Sequence, residues 1–396
     1  MDKIVCIKNI TLHAEDETYP NGYIKVMDGK IAEIGSASDL SDHDDHEWMI
    51  LSPSFHLIPG MIDVHIHGAA GADTMDATAE ALQTMANALP KEGTTSFLAT
   101  TITQSTEAIE QALENAAQFI EEGQSAGEAE VLGIHLEGPF ISAKRAGAQP
   151  PDHIKNPDLQ LFKKWQQLAK GKIKLVTLAP ERSGGLALVH YLKETGVTAS
   201  IGHSDATYQE VEEAIKAGAA HVTHLFNGMR GLHHREPGAA GAALLKDELL
   251  VEIIADGIHV IPEMIQLAYK QKTSERLILI TDAIRAKCLK NGTYDLGGQE
   301  VRVEAGEATL GDGTLAGSML KMKDAAKNIQ SYTNATLSDI IKMTSVNAAK
   351  QLNVFDRKGS IAIGKDADFV IVDEAFDVVM TFCRGKLAYE RKESYE

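Results

Sequence analysis

His65-Ile66-His67 is the first place in the chain where residue type and spacing point to chemistry. It closes the run 57–64, LIPGMIDV, which reads as a buried strand. Alternate residues of a strand share a face, so the two imidazoles project side by side where it ends. Neutral imidazoles are ligands for zinc, iron, nickel or cobalt. Taken alone, the pair would equally describe two core or surface histidines. What separates the cases lies downstream. Glu137, His203, His224 and Asp282 also stand at or just beyond the ends of apolar, strand-like runs.

Those runs dictate an architecture. After the first come 94–100, 131–136, 173–178, 197–201, 221–225, 251–255 and 277–280. Most are separated by segments of helical periodicity such as 79–89, 108–122 and 208–217. Strand–helix alternation repeated eight times predicts a (β/α)8 TIM-like barrel, an α/β fold whose chemistry lies at the carboxyl ends of its strands. The ligand types after strands one, three, five, six and eight are therefore expected to converge on one mouth. A scatter of unrelated histidines would not keep that register.

With 396 residues the chain exceeds the ~250 of a typical barrel, and the surplus lies at both ends. Residues 1–56 hold short alternating segments with turn signals at Asn21-Gly22 and Asp28-Gly29. Residues 356–396 read the same way, and neither end buries enough apolar surface to stand alone. The expectation is a small β-sandwich domain built from both chain termini, flanking a barrel over 57–355. Residues 295–318 read as a hairpin inserted after the eighth strand.

Composition excludes several partners. A net charge of -18 argues against nucleic acid or an anionic membrane. No stretch approaches the ~20 apolar residues of a membrane span, and the start Met1-Asp2-Lys3-Ile4 lacks a secretory pattern. Three scattered cysteines, Cys6, Cys288 and Cys383, imply a reducing cytoplasm without disulfides. One basic cluster, Arg230-Gly231-Leu232-His233-His234-Arg235, follows the sixth run directly. Arginine forks suit phosphate oxygens, and such a cluster would offset the acidic field for an anionic substrate; a merely solvated basic loop is the alternative.

His65, His67, His203, His224 and Asp282, in this order after these strands, resemble the amidohydrolase superfamily. Within it, the segments HLEGP (135–139), GHSDA (202–206), THLFNGM (223–229), DGIH (256–259) and LAGS (315–318) resemble the family of N-acetylglucosamine-6-phosphate deacetylases. The likeness spans nearly the whole chain. It implies metal-dependent hydrolysis of the acetamide of N-acetyl-D-glucosamine 6-phosphate to D-glucosamine 6-phosphate and acetate, in amino-sugar catabolism and recycling. It implies two divalent transition metal ions per chain, zinc or iron, on His65, His67, Glu137, His203 and His224. Glu137 takes the place of the carboxylated lysine that bridges the metals in most binuclear relatives. Asp282 corresponds to the general base, although a helix-capping aspartate is common at such junctions. Arg235 and His259 correspond to phosphate contacts, and the arginine reaches across a homodimer in such enzymes. Ala148, Asn227, Gly228, Leu315, Ala316 and Gly317 would hold the sugar. One departure stands out: Gln149 occupies a position where the family often has a carbonyl-polarising histidine, and an amide can donate a hydrogen bond but carries no proton. His221, three residues before His224, is expected on the opposite strand face, and His135 in a supporting place beside Glu137.

Two other functions compete. A cyclic-amide or other N-acyl amino-sugar hydrolase would have no need of Arg235 if its substrate were neutral. A non-catalytic scaffold would be expected to have lost metal ligands, and none of the candidates is missing.

Overall fold

Residues 4–40 and 46–392 are described by a computed structural model, so the amino-terminal Met1, Asp2 and Lys3 read above lie outside the described residues. The eight apolar runs become parallel strands: β1 (Met61–Ile66), β2 (Thr94–Thr101), β3 (Glu130–Glu137), β4 (Ile173–Leu178), β5 (Thr198–Ile201), β6 (His221–Val222), β7 (Leu250–Ile254) and β8 (Leu277–Ile280). They pair in sequence order from β1 to β8. A parallel bridge between Ile66 and Ala283 joins the two ends, making a nearly closed barrel. Most of these strands are buried along almost their whole length because helices cover the outside, which explains their continuous apolar character. The helices start where their capping residues predict. Ser105 caps Thr106–Glu121, and Thr207 with Glu210 forms a capping box on Tyr208–Ala217, which ends at Gly218. No helix among the described residues is long and apolar enough to cross a membrane.

Both termini meet in one eight-stranded sheet, which places Phe369–Val372 against His56–Pro59 and His56–Pro59 against Val5–His13. Ile7, Ile10, Leu12, Phe369 and Phe382 form its core. The run 57–64, read from sequence as a single strand, divides at Gly60. Residues before it pair with the carboxyl-terminal strand, and Met61 opens the barrel against Thr94. A Cβ at position 60 would stand 2.1 Å from Thr95 Oγ1, so only glycine lets the chain pass from one sheet to the other there.

Two further differences bear on the site. The insertion after β8 is a three-stranded antiparallel meander (Gly292–Leu296, Gln299–Glu304, Glu307–Thr309) rather than a hairpin. It returns to the barrel mouth, where Ser318 N–H donates to Asp282 O at 2.8 Å. β6 stops after two residues because the chain leaves the extended region, with φ +30° at His224 and +77° at Phe226.

Candidate active site

Barrel closure creates the site. Asp282 N–H donates to His65 O at 2.8 Å and His67 N–H to Ala283 O at 2.9 Å, so the ends of β1 and β8 are locked side by side. His203, His224 and Asp282 each follow a strand in the left-handed region, with φ of +47°, +30° and +49°. Non-glycine residues rarely adopt this conformation, at a cost of about 1–3 kcal/mol each, and such strain clusters at functional sites. The turns redirect the side chains from the strand faces into the mouth. All six candidate residues are buried.

They form two groups whose ligand-type atoms lie within 4.8 Å of one another: His65, His67 and Asp282, and Glu137, His203 and His224. Asp282 Oδ1 stands 3.4 Å from His65 Nε2 and 3.3 Å from His67 Nε2. Glu137 joins the groups. Its Oε1 lies 3.1 Å from both His203 Nε2 and His224 Nε2, and 3.5 Å from His65 Nε2. Its Oε2 lies 3.2 Å from His67 Nε2. A carboxylate so placed offers one oxygen to each side.

The hydrogen bonds on the far side of the imidazoles identify what belongs between them. His203 Nδ1–H donates to Arg145 O at 2.9 Å, His224 Nδ1–H to Asn227 O at 3.1 Å, and His65 Nδ1–H to Glu252 Oε2 at 2.9 Å. Each partner accepts, so a hydrogen sits on Nδ1 and Nε2 is the nitrogen turned to the centre, where the neutral ring would present its lone pair. His203 Nε2 and His224 Nε2 then face each other at 3.1 Å, and buried His65 Nε2 lacks a hydrogen-bond partner. Lone pairs and carboxylate oxygens aimed at one another repel unless protons or metal cations lie among them. This donor set fits divalent transition metals.

Protonation responds to the same field. Burial opposes charge on His65 and His67, but Asp282 and Glu137 outweigh it, lifting His65 well above the ordinary imidazole value and His67 to about 9. Burial would raise the carboxyls of Glu137 and Asp282, yet the neighbouring imidazoles hold both below the usual range. The cluster therefore favours ionised carboxylates and attracts positive charge.

A cavity of about 230 Å³ opens onto this centre, and Ala148, Gln149, Asn227, Gly228, His259, Leu315 and Gly317 line it together with five of the six residues above. Ala316 is fully buried behind the wall, its N–H bonded to Ala308 O. At Gly228, φ is +57° and a Cβ would stand 2.9 Å from His203 Nδ1, so this backbone can lie close to the ligand only as glycine. His259 Nδ1–H donates to Asp256 Oδ2 at 2.6 Å; burial opposes its charge, but that bond raises its pKa and favours the cation. Gln149 donates one amide hydrogen to Glu137 Oε2 at 2.9 Å and accepts Thr103 N–H at 2.8 Å, which leaves its second amide hydrogen for a substrate. Arg235 is exposed, bonded to His234, and does not line the cavity of its own chain. Arg230 is committed to Asp205 at 3.0 Å. A larger cavity of about 930 Å³ lies against the terminal sheet beside Trp48, Phe382 and Lys386, and none of these groups borders it.

The supporting histidines diverge from expectation in one case. His135 Nε2 bonds Thr177 Oγ1 at 2.7 Å, and its ring packs edge-on against His65, as a supporting residue should. His221 is not on the outer strand face. Its Nδ1 meets Ser200 Oγ at 3.0 Å inside the barrel, because β6 ends before His224 and strand alternation does not extend between them. Glu252, which contacts both His65 and the His224 backbone, carries no motif and was not singled out from sequence.

The amidohydrolase family model matches residues 56–388, which cover the barrel and most of the carboxyl-terminal sheet strands. The chain belongs to the amidohydrolase family. Among its amidohydrolase relatives, N-acetylglucosamine-6-phosphate deacetylase of Bacillus subtilis (strain 168) is 51% identical over all of this chain and 99% of its own length. The solved structure of N-acetylglucosamine-6-phosphate deacetylase from Thermotoga maritima superposes with a TM-score of 0.87 at 36% identity, covering 98% of this chain and 100% of that one. A mutant of the Mycobacterium smegmatis deacetylase, in complex with N-acetyl-D-glucosamine 6-phosphate, superposes with a TM-score of 0.90 at 29% identity, covering 98% of this chain and 99% of that one. In this amidohydrolase the two ligand groups, the shared Glu137 and the strained strand ends are features of one barrel mouth.

Proposed function

We propose that this amidohydrolase cleaves the acetamide of N-acetyl-D-glucosamine 6-phosphate, releasing acetate and D-glucosamine 6-phosphate for amino-sugar catabolism and recycling. One observation carries the proposal: Glu137 spans two buried ligand groups with its separate oxygens, at the edge of a cavity that Gln149, Asn227, Gly228 and His259 also line. His65 and His67 would hold one divalent ion, His203 and His224 the other, and Glu137 both; zinc and iron suit the donors. Bound there, such ions supply Lewis acidity towards the acetyl carbonyl and make a water acidic near neutral pH.

Asp282 removes the proton of the attacking water as its oxygen bonds to the acetyl carbon. When the carbon–nitrogen bond breaks, the same carboxyl returns that proton to the sugar nitrogen, which leaves as the amine. Asp282 lies in the cavity wall beside His65 and His67, within reach of both events. Gln149 holds Glu137 and offers its remaining amide hydrogen to the carbonyl oxygen. Ala148, Asn227, Gly228, Leu315 and Gly317 orient the sugar, with Ala316 shaping the wall, and His259 favours the anionic end.

Arg235 completes phosphate recognition from a second chain. It is exposed and clear of its own chain's cavity, on the loop after β6 that also exposes Leu232. A homodimer joined through this face would place it at the partner's substrate. The test is acetate release from N-acetylglucosamine with and without the 6-phosphate, measured on protein of known metal content. Strong preference for the phosphorylated sugar is expected, and equal rates would defeat the assignment of substrate.

A further inference from the structure

Glu252 lies on β7, and its carboxylate is wholly buried inside the barrel, beneath the site rather than in its wall. Its Oε2 accepts two hydrogen bonds, from His65 Nδ1–H at 2.9 Å and from the His224 backbone N–H at 3.2 Å. Its Oε1 has no hydrogen-bond partner and stands 3.7 Å from His221 Nδ1. Among the described residues no lysine or arginine pairs with it; its ion-pair partners are His65 and His221. Its backbone carbonyl also accepts Leu225 N–H at 2.9 Å, so Glu252 brackets His224 from both its side chain and its main chain.

A carboxylate buried without a fixed cation is a poor choice for barrel filler, since an apolar residue would pack there without the desolvation penalty. It makes sense where charge must be transmitted. The bond to Nδ1–H keeps His65 in the tautomer whose Nε2 lone pair faces the centre and makes that nitrogen more basic. The bond to His224 N–H holds the turn at φ +30° that aims His224 at Glu137. His65 and His224 belong to different ligand groups.

We propose that Glu252 is a positioning residue of the metal centre, aligning one ligand of each group through a single buried oxygen. The proposal rests on the reading that these groups hold divalent cations. Its further consequence is that zinc affinity depends on a residue that touches neither metal nor substrate.

The experiment is competition for zinc against a chromogenic chelator, with wild type, Glu252→Gln, Glu252→Leu and the His65→Asn, His67→Asn double variant. Thermal unfolding of each metal-free protein is measured in parallel. Glu252→Leu removes both the acceptor and the charge, and should weaken zinc at the His65 and His67 side by about 10–100-fold. Glu252→Gln keeps an acceptor oxygen for Nδ1–H, so it should recover part of that loss. The visible spectrum of the cobalt-loaded protein should change in the same order. If the Leu variant does not fold, the Gln variant still decides: zinc affinity within about twofold of wild type would overturn the proposal. So would a loss of metal-free stability unaccompanied by any change in affinity, because that marks a packing residue. A wild type that binds two ions with unaltered variants would overturn this proposal alone. A wild type that binds none would overturn it together with the metal-dependent reading beneath it.

Discussion

Replacing Asp282 with Asn alters one atom of a side chain that stands 3.4 Å from His65 Nε2 and 3.3 Å from His67 Nε2. Burial would push its carboxyl up, but those imidazoles hold it below the ordinary value, so the acid is ionised and able to accept a proton at neutral pH. The amide keeps the shape and an oxygen for contact, yet it cannot take a proton from water or return one to the amine. Loss of a general acid–base group typically lowers the rate about 10²–10⁴-fold, or roughly 3–5 kcal/mol of transition-state stabilisation at 1.36 kcal/mol per tenfold. The structure demands one control. Asp282 shares its oxygen with two metal-ligand candidates, so elemental analysis must accompany the assay of acetate release. The expected result is a kcat reduced by that factor with metal content equal to wild type. A kcat within about tenfold of wild type would make Asp282 a cap on the β8 turn. A rate falling only in proportion to lost metal would make it a ligand rather than a base.

Three further outcomes follow from other parts of the molecule. The His65→Asn, His67→Asn double variant should lose one of two ions per chain and most of its rate; unchanged stoichiometry by elemental analysis would remove these residues from the ligand set. Arg235→Ala should lower kcat/KM for the phosphorylated sugar at least about tenfold, since a charge-assisted bond contributes ~1.5–3 kcal/mol. The unphosphorylated sugar should be scarcely affected, and mixing Arg235→Ala with Asp282→Asn chains should restore some activity; equal losses for both sugars would count against a phosphate contact. The third concerns acid. Burial would raise the Glu130 carboxyl, but Arg357 and Lys358 hold it down at about 2. A depressed acid contributes stability that is present above its unfolded pKa of ~4.5 and disappears as pH falls towards the folded value, here roughly 3 kcal/mol. Glu130→Gln should therefore be less stable to urea near neutral pH by about that amount and converge with wild type between about pH 4 and 2. A constant gap across that range would refute the ion-pair account.

The barrel and the cluster of candidate ligands were legible because both leave periodic marks. Eight apolar runs alternating with helical segments can close only a few ways, and ligand types recurring at strand ends share a mouth once the sheet is closed. The parts that escaped leave no periodic mark. Gly60 separates two sheets through a close approach to Thr95, a tertiary contact invisible in an unbroken apolar run. His221 was misplaced because the left-handed turn at His224 ends the alternation that strand reasoning assumes. Glu252 sits in VEII, an apolar strand, where a lone acidic residue gives one weak signal: a charge inside a fully buried parallel strand needs a partner. That partner, His65, is 187 residues away in sequence. The cavity-lining residues of the loops were reached through family resemblance, because loop backbones supply their contacts and backbone carries no residue code.

The central claim is that acetate release requires two divalent ions, which His65, His67, Glu137, His203 and His224 would hold. It is tested most directly by titrating metal-free protein with zinc or iron while recording hydrolysis of N-acetyl-D-glucosamine 6-phosphate. Activity should be absent at the start and rise until two equivalents per chain have bound. Full activity in the metal-free protein, or a plateau already reached at one equivalent, would contradict it.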